Sequence, residues 1–357
     1  MATRSANSLV NDLRNELNKA AKENVAYDLH GDNPTDVKTW IPTGSTLLDY
    51  LISNKRNGGI PVGKLTTIAG ESASGKSLVV TQILANTQKM GGLAIYIDTE
   101  NSASPEFMEQ LGLDTKNNFM YVQPGTIEEV FENIERLIGL IREKAPHKLV
   151  CIVWDSVAGT PVKAEIEGDY DPNSRIGLTA KALAKGMRKV TETLGREQIA
   201  LVFTNQLKTN IGVMFGDNRV EPGGKALPYH ASARIWLTQH KSKANGEIRN
   251  AKKQIIGFHT SAKTMKSRFG PSPRTCEFDV LFDLANDRVG IDDDGSWLTA
   301  IGGTPGCVRS GAWYTISVDG EDKKFQSKDF PKLLEDENFK KRVLDILEDE
   351  CRIGKKQ

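Results

Sequence analysis

The sequence predicts an α/β fold: a mostly parallel sheet flanked by helices, with an N-terminal helix and a small α/β C-terminal lobe. Three observations predict it. Apolar runs of strand length alternate with amphipathic helical stretches from about residue 37 onward. A glycine-rich turn, GESASGKS, joins one such run to a helix. After it has alternated several times, the chain gives a series of strand patterns with no helix between them.

In chain order, Leu9, Val10, Leu13 and Leu17 recur at helical spacing, so the first two dozen residues read as an amphipathic helix. Its apolar face has to be buried, either on its own domain or on a neighbouring subunit. The loop HGDNPTD sets it apart, giving an expected N-terminal segment 1–36. KLTTIAG then reads as a strand, KSLVVTQILANTQKM as a helix and GLAIYID as a buried strand. TIEEVFENIERLIGLIREKA is a strongly amphipathic helix and KLVCIVWD a strand, followed by the helix GLTAKALAKGMRKVTETLG and the strand IALVFTNQ. Strands apolar along their whole length are buried on both faces, as in a parallel sheet covered by helices. ASARIWLTQ, KKQIIGFHT and TCEFDVLF follow one another as strands, so this edge of the sheet is expected to be antiparallel. The core is thus expected over 37–283 and a C-terminal lobe over 284–357, with GAWYTISVDGEDKKF as a hairpin and FPKLLEDENFKKRVLDILEDEC as helices. The acidic runs near Glu335 and Glu348 read as solvated helix faces.

Composition excludes several classes. Hydrophobic residues make up 38% and charged residues 26% of the 357, as in ordinary soluble domains. A net charge of +1 carries no global basic signature, so any nucleic-acid contact has to come from a local stripe of cations. No apolar run is long enough for a membrane span. The N-terminus has no apolar signal core, and Asp12, Glu16 and Glu23 argue against a transit peptide; a cytoplasmic location is expected. Cys151, Cys276, Cys307 and Cys351 lack metal-ligand spacing and read as reduced thiols.

GESASGKS, with Gly70, Glu71, Ser72, Ser74, Gly75, Lys76 and Ser77, fits the phosphate-binding loop pattern and stands between a strand and a helix, as that mechanism requires. Backbone N–H groups would cradle the phosphates of ATP at a helix N-terminus. Lys76 would reach the β- and γ-phosphates, and the Ser77 hydroxyl would hold Mg²⁺. Asp155, closing KLVCIVWD, fits the acid that supports the metal through water, the alternative being a helix N-cap. Glu100, in DTEN past the strand LAIYID, is a candidate base for the attacking water; Asp98 competes for that role.

Two irregular segments begin on the same sheet edge. Ile211 to Leu227 is rich in turn formers yet opens with Ile211, Gly212, Val213, Met214 and Phe215, and it continues through Gly223, Gly224 and Lys225. Gln206 ends the strand before it, where a γ-phosphate could be sensed. Glu167 to Ile176 is the other, ahead of a helix whose Lys181, Lys185 and Arg188 share one face, with Lys189 beside them. Apolar tips beside a cationic face suit single-stranded nucleic acid: cations neutralise phosphates and apolar side chains touch bases without reading sequence. The competing readings are burial of Val213, Met214 and Phe215 in a core or subunit contact, and an ordinary solvated lysine face.

At this point the motifs match a family. STLLDYLISN, GGIPVGKLTTIAGESASGKS, IDTE, DSVAGTPVKAEIEGD, FTNQLKTNIGVMFG, GGKAL and SGAWYTI follow, in order and near its spacing, the pattern of the RecA recombinases. The chain resembles them over about residues 37 to 315, and among them the phage-borne group that includes UvsX. The resemblance implies a RecA-like P-loop ATPase core that polymerises head to tail on single-stranded DNA, with ATP between subunits, and that pairs the strand with homologous double-stranded DNA. A single-strand-binding protein and a loader would be its accessory partners.

Carried over by residue, Lys76 and Ser77 meet phosphate and Mg²⁺, Asp155 supports the metal, Glu100 is catalytic and Gln206 senses the γ-phosphate. Ile176 and Ile211 match apolar wedges between base triplets; Gly223, Gly224 and Arg188 match backbone contacts; Phe107 takes an adenine-stacking position. Lys266 and Arg268 match cations given to the neighbour's ATP, with Lys263 as the alternative. The chain departs from the pattern in a first loop one residue longer, in Arg175 before the wedge and in a basic end, RIGKKQ, where an acidic tail is expected; weaker damping of duplex capture would follow. A ring-forming helicase and a non-exchanging mediator are the competing functions.

Overall fold

A computed structural model describes residues 6–22, 24–31, 33, 35–167, 177–195, 197–210, 218–240, 246–286 and 288–354. They divide into two compact units, 1–38 and 39–357. In the first, α1 (Ala6–Ala21) is the expected amphipathic helix, and Leu9, Val10, Leu13 and Leu17 are exposed on it. After it the chain doubles back on the Asn18 side chain, which accepts from the N–H of Val25 and Ala26 at 2.9 and 2.8 Å.

The second unit opens with a two-stranded ribbon, β1 (Trp40–Ile41) and β2 (Ile60–Pro61), around α2 (Thr46–Ser53). Then β3 (Leu65–Gly70), α3 (Lys76–Lys89), β4 (Leu93–Asp98), α4 (Pro105–Gln110), β5 (Phe119–Val122), α5 (Ile127–Lys144) and β6 (Val150–Asp155) give the expected alternation. It continues with α6 (Lys163–Glu167), α7 (Leu178–Leu194) and β7 (Ile199–Gln206). The short β8 (Lys208–Thr209) and β9 (Arg219–Val220) pair antiparallel and lead to α8 (Ala226–His230). The strands β10 (Ala233–Gln239), β11 (Glu247–Arg249), β12 (Ile255–Ser267), β13 (Arg274–Asp283) and β14 (Arg288–Asp292) then follow with no α-helix among the described residues between them.

These strands form one ten-stranded sheet, ordered β14-β13-β12-β10-β3-β7-β6-β4-β5 with β11 on β12. From β10 to β5 every pairing is parallel; β10 to β12 and everything beyond is antiparallel. Strand β10 therefore belongs to the parallel part, and the change of direction falls one strand later than the first of the consecutive strands. Side chains alternate between the sheet faces. On β6, Val150, Ile152 and Trp154 face the core under α5 and α7, whereas Cys151 and Val153 face the core under α2 and α3. A strand buried on both sides has to be apolar throughout, which is why it could be read in the sequence.

Three elements carry weaker sequence signals. Strand β5 has four residues, with Met120 and Tyr121 exposed at the sheet edge. Helix α2 is short and nearly all buried, so no polar face marks its period. Strand β14 extends the large sheet past the boundary expected after residue 283.

The remainder, α9 (Asp293–Ile301), β15 (Val308–Ser310), β16 (Trp313–Val318), β17 (Glu321–Gln326), α10 (Phe330–Leu333) and α11 (Glu337–Cys351), builds a three-stranded sheet and helices. The expected hairpin turns at Asp319 and Gly320, both at positive φ (52° and 88°), the conformation favoured by a two-residue Asp-Gly turn. Its aromatic core of Phe325, Phe330 and Phe339 also takes Leu47 and Tyr50 of α2. Glu348 is not the solvated acid the sequence suggested: with Asp345 it approaches Arg56, at 3.8 and 2.6 Å, and ties α11 to the segment after α2.

Candidate functional site

The sheet register assembles the site. Gly70, the last residue of β3, pairs with Gln206 on one side and with Leu237 on the other. Asp98 pairs with Asp155. The C-terminal ends of β3, β4, β6 and β7 thus bring the phosphate loop, Glu100, Asp155 and Gln206 to one edge, the usual ligand edge of a parallel α/β sheet.

The loop from Gly70 to Ser77 wraps onto the start of α3. Gly75 takes the N-cap place of α3 in the left-handed region, φ 88°, with no side chain to block an approaching phosphate. The Lys76 ammonium donates to the carbonyls of Gly70 and Glu71, at 3.1 and 2.7 Å, inside its own loop. Burial lowers its pKa, and the charges of Asp155 and Glu100 oppose that shift. The Ser74 hydroxyl is buried without a described partner.

Asp155 closes β6, fully covered. One carboxylate oxygen accepts from the Ser77 hydroxyl at 2.8 Å and from the Tyr96 hydroxyl at 2.7 Å; the other accepts from Thr204. Burial, then the nearby Asp155 charge, pushes the Tyr96 phenol upward, so it stays a donor. Asp155 is not a helix cap: Ser156 caps the turn that follows, accepting from Gly159 N–H at 3.3 Å. A hydroxyl and a carboxylate converging beside a phosphate loop suit Mg²⁺, which keeps its waters and takes one or two protein oxygens plus phosphate. Among the described residues no cluster of His, Cys, Asp and Glu could hold a metal by itself.

Asp98 and Glu100 separate by their partners. The buried Asp98 carboxylate accepts from the N–H groups of Glu100, Ser102 and Ala103, at 2.9, 3.0 and 3.0 Å, and from the Tyr121 hydroxyl at 2.9 Å. Three of those four bonds converge on Oδ2, and the side chain is wholly buried, so Asp98 shapes the turn and is closed to water arriving from solvent. Glu100 instead has Ser156 and the Gln206 amide on the same oxygen, the latter at 3.3 Å. Sequence gave no sign of Ser156, Tyr96 or Thr204, because each joins the site across strands. Gly159 is another: a Cβ there would come within 2.9 Å of the Glu100 carboxylate. Phe258 of β12 is a fifth, its ring 3.7 Å from where a Gly75 Cβ would stand.

Gln206 also opens the second irregular segment. Its distal limb is fixed: Asn205 donates its amide to the Pro222 carbonyl at 3.1 Å, and Gly223 and Gly224, both at positive φ, lie against Leu183 and Ala180 of α7. Lys225, exposed, precedes α8. On α7, Lys181, Lys185 and Arg188 are exposed opposite the buried Leu183, Met187, Val190 and Leu194, whereas Lys189 turns to Glu135 at 3.4 Å. Val157, Thr160, Glu165, Thr179, Lys208 and Gly223 border a cavity of about 500 Å³ beside α7. Ile176, Ile211, Gly212, Met214 and Phe215 lie outside the described residues.

Phe107 is half exposed on α4. Lys266 and Arg268 are near the opposite edge of β10: the Lys266 ammonium donates to the carbonyls of Pro228 and Tyr229 at 2.8 and 3.0 Å. Arg268 borders a cavity of about 330 Å³ with Lys64, Thr191, Tyr229 and His230. His230 has its pKa lowered by burial and then by Arg188, Lys266 and Arg268, which marks the concentration of positive charge there.

Comparison with known proteins adds three findings. The RecA N-terminal domain family model matches residues 10–286. Protein RecA of Symbiobacterium thermophilum is 35% identical over 276 residues, covering 77% of this chain and 73% of the relative. Protein RecA of Frankia casuarinae is 37% identical over 290 residues, covering 81% and 77%, and that of Acidothermus cellulolyticus 37% over 287, covering 80% and 76%.

Proposed function

The chain belongs to the RecA family of recombinases, and from that premise we propose that it is a DNA-dependent ATPase that forms a helical filament on single-stranded DNA, pairs that strand with homologous duplex and exchanges strands. The observation that carries the reading is the Gln206–Glu100 hydrogen bond at 3.3 Å. It joins the candidate hydrolytic carboxylate to the first residue of the segment expected to hold DNA, so whatever occupies the γ-phosphate place is felt by that segment.

In this reading Gly70 to Ser77 bind the phosphates, with Lys76 exchanging its loop carbonyls for phosphate oxygens. The Ser77 hydroxyl, with Asp155 behind it, would hold Mg²⁺, which would supply charge neutralisation at the phosphates. Glu100 orients and deprotonates the attacking water, and Gln206 reports the γ-phosphate. Phe107 covers the adenine. Lys266 and Arg268 neutralise developing charge on the neighbouring subunit's ATP, so turnover waits for assembly. Lys181, Arg188, Gly223, Gly224 and Lys225 meet the DNA backbone, and Ile176, Ile211, Gly212, Met214 and Phe215 its bases. The exposed apolar face of α1 has a place on the adjacent subunit, as the resemblance implies.

Electron microscopy tests assembly: filaments whose length follows the DNA are expected, and closed rings would overturn the reading in favour of a translocating motor. Strand exchange completes the test. Wild type should yield joint molecules, and Glu100→Gln should capture DNA with ATP while turnover falls by about 10² or more. Absence of joint molecules from wild type would leave a mediator.

A further inference from the structure

The return limb of the second segment, from Arg219 to Gly224, is anchored to β10 by a buried ion pair. Glu221, with a side chain only 4% exposed, accepts on one oxygen from the Arg234 guanidinium at 2.6 Å and from the Trp236 indole N–H at 2.5 Å. Two residues earlier, Arg219 lies over the Trp236 ring at 5.2 Å and donates to the Thr238 hydroxyl at 2.9 Å. Arg234 in turn is the register partner of Lys266 across the β10–β12 pairing, beside a bulge.

That geometry sets a charge problem. Arg234 and Lys266 are like charges on paired cross-strand positions, an unfavourable arrangement on its own. Among the described residues Glu221 is the carboxylate that offsets Arg234. The pair is also imperfect: the second Glu221 oxygen and Arg234 Nε are buried without partners. A buried pair so incompletely satisfied adds little stability, so packing alone is a poor reason for its place here.

We propose that Glu221 is a positioning residue that couples the second DNA segment to the interface cation Lys266 through Arg234. The inference rests on the recombinase reading above. When DNA shifts the return limb, Glu221 leaves Arg234, the positive potential at Lys266 and Arg268 rises, and the anionic nucleotide of the next subunit is held more tightly. By linkage, that nucleotide favours the DNA-bound posture of the limb. One segment then reads two nucleotides: its own through Gln206, and the neighbour's through Glu221. Trp236 and Arg219 hold the limb in register so that a displacement at Arg219 and Val220 reaches Glu221.

Substitutions of opposite sign test it, read as the KM for ATP of the full-length ATPase without DNA, at subunit concentrations high enough for subunits to associate, and as the ratio of DNA-stimulated to DNA-free turnover under the same conditions. Glu221→Gln leaves Arg234 uncompensated and should lower KM several-fold and reduce the stimulation ratio. Arg234→Gln removes a cation beside Lys266 and should raise KM several-fold. Shifts in the same direction, or an unchanged ratio in Glu221→Gln, would overturn the proposal, since a purely structural clamp fails alike from either side. Should Glu221→Gln not fold, the charge-neutral double substitution Glu221→Gln with Arg234→Gln replaces it: a KM back near wild type supports the coupling, and one equal to Arg234→Gln alone overturns it. Loss of DNA stimulation in wild type itself would instead remove the recombinase reading.

Discussion

At the scale of single residues, the chemistry concentrates on side chains whose neighbours have used up or freed their hydrogen-bonding capacity. Asp98 and Glu100 are two residues apart, and burial and partners separate them: Asp98 is wholly buried and spent on the turn and Tyr121, whereas Glu100 is held on one oxygen by Ser156 and Gln206. Residue type and spacing allowed either. Lys76→Ala should abolish nucleotide binding and with it ATP-dependent filaments, since no other described cation lies in the loop; a binding assay with a fluorescent ATP analogue and negative-stain microscopy check this. Gly159→Ala is a subtler case. The added methyl would press on the Glu100 carboxylate, which has to turn aside, so kcat should fall by about tenfold or more while ATP binding stays near wild type. An unchanged kcat would show that Glu100 is not placed by that contact.

At the scale of elements, what matters is how closely helices approach the sheet and one another. Gly186 in the middle of α7 would place a Cβ 2.2 Å from the buried Phe131 ring of α5, itself edge-on to Trp154 at 5.7 Å. Alanine gains about 1 kcal/mol of helix propensity over glycine, yet overpacking an aromatic stack costs roughly 1–3 kcal/mol. The clash should win: Gly186→Ala should lower the thermal midpoint, as calorimetry would record, and shift the cationic face of α7 relative to Gly223 and Gly224. The helices and central strands were legible because their apolar periodicity is long. Strand β5 and helix α2 were not: one is too short and exposed, the other too uniformly buried, to leave a period. The ribbon of β8 and β9 at the foot of the second segment was hidden for another reason. Its two-residue strands have no pattern of their own and are held by contacts to β10.

At the scale of the molecule, docking of the C-terminal lobe on the core depends on buried acids. Asp293, at the start of α9, accepts from the Thr46 N–H and hydroxyl, both at 2.7 Å, and burial raises its pKa to about 6 despite those bonds. Asp49, nearby, is raised in the same direction by burial. An acid whose folded pKa lies above its unfolded value stabilises the fold fully below the unfolded value and loses that contribution as pH rises through the folded one. The contribution of Asp293 should therefore decline from pH 4 towards pH 7, and thermal melts of Asp293→Asn should lose that component relative to wild type; an unchanged pH dependence would remove Asp293 as a contributor. The second molecular property is salt dependence. With a net charge of +1, the proposed function assigns attraction to DNA to the local α7 face, so Lys181→Gln should weaken single-strand binding and reduce the slope of log K against log salt by about 0.7. A slope unmoved by the change would place Lys181 away from phosphate.

Sequence alone determined the layered α/β arrangement, the glycine-rich turn into α3, the acid at the end of β6 and the family, since each is written in contiguous residues under a local rule: strand period, helix period, or the glycines that a tight turn demands. The tertiary structure alone decided how Asp98 and Glu100 differ in partners, which side chains hold Asp155, and that the return limb of the second segment is pinned by Glu221 to Arg234 of β10. Those facts depend on strand register and on contacts between distant residues, and register is set by burial and pairing summed over the whole sheet.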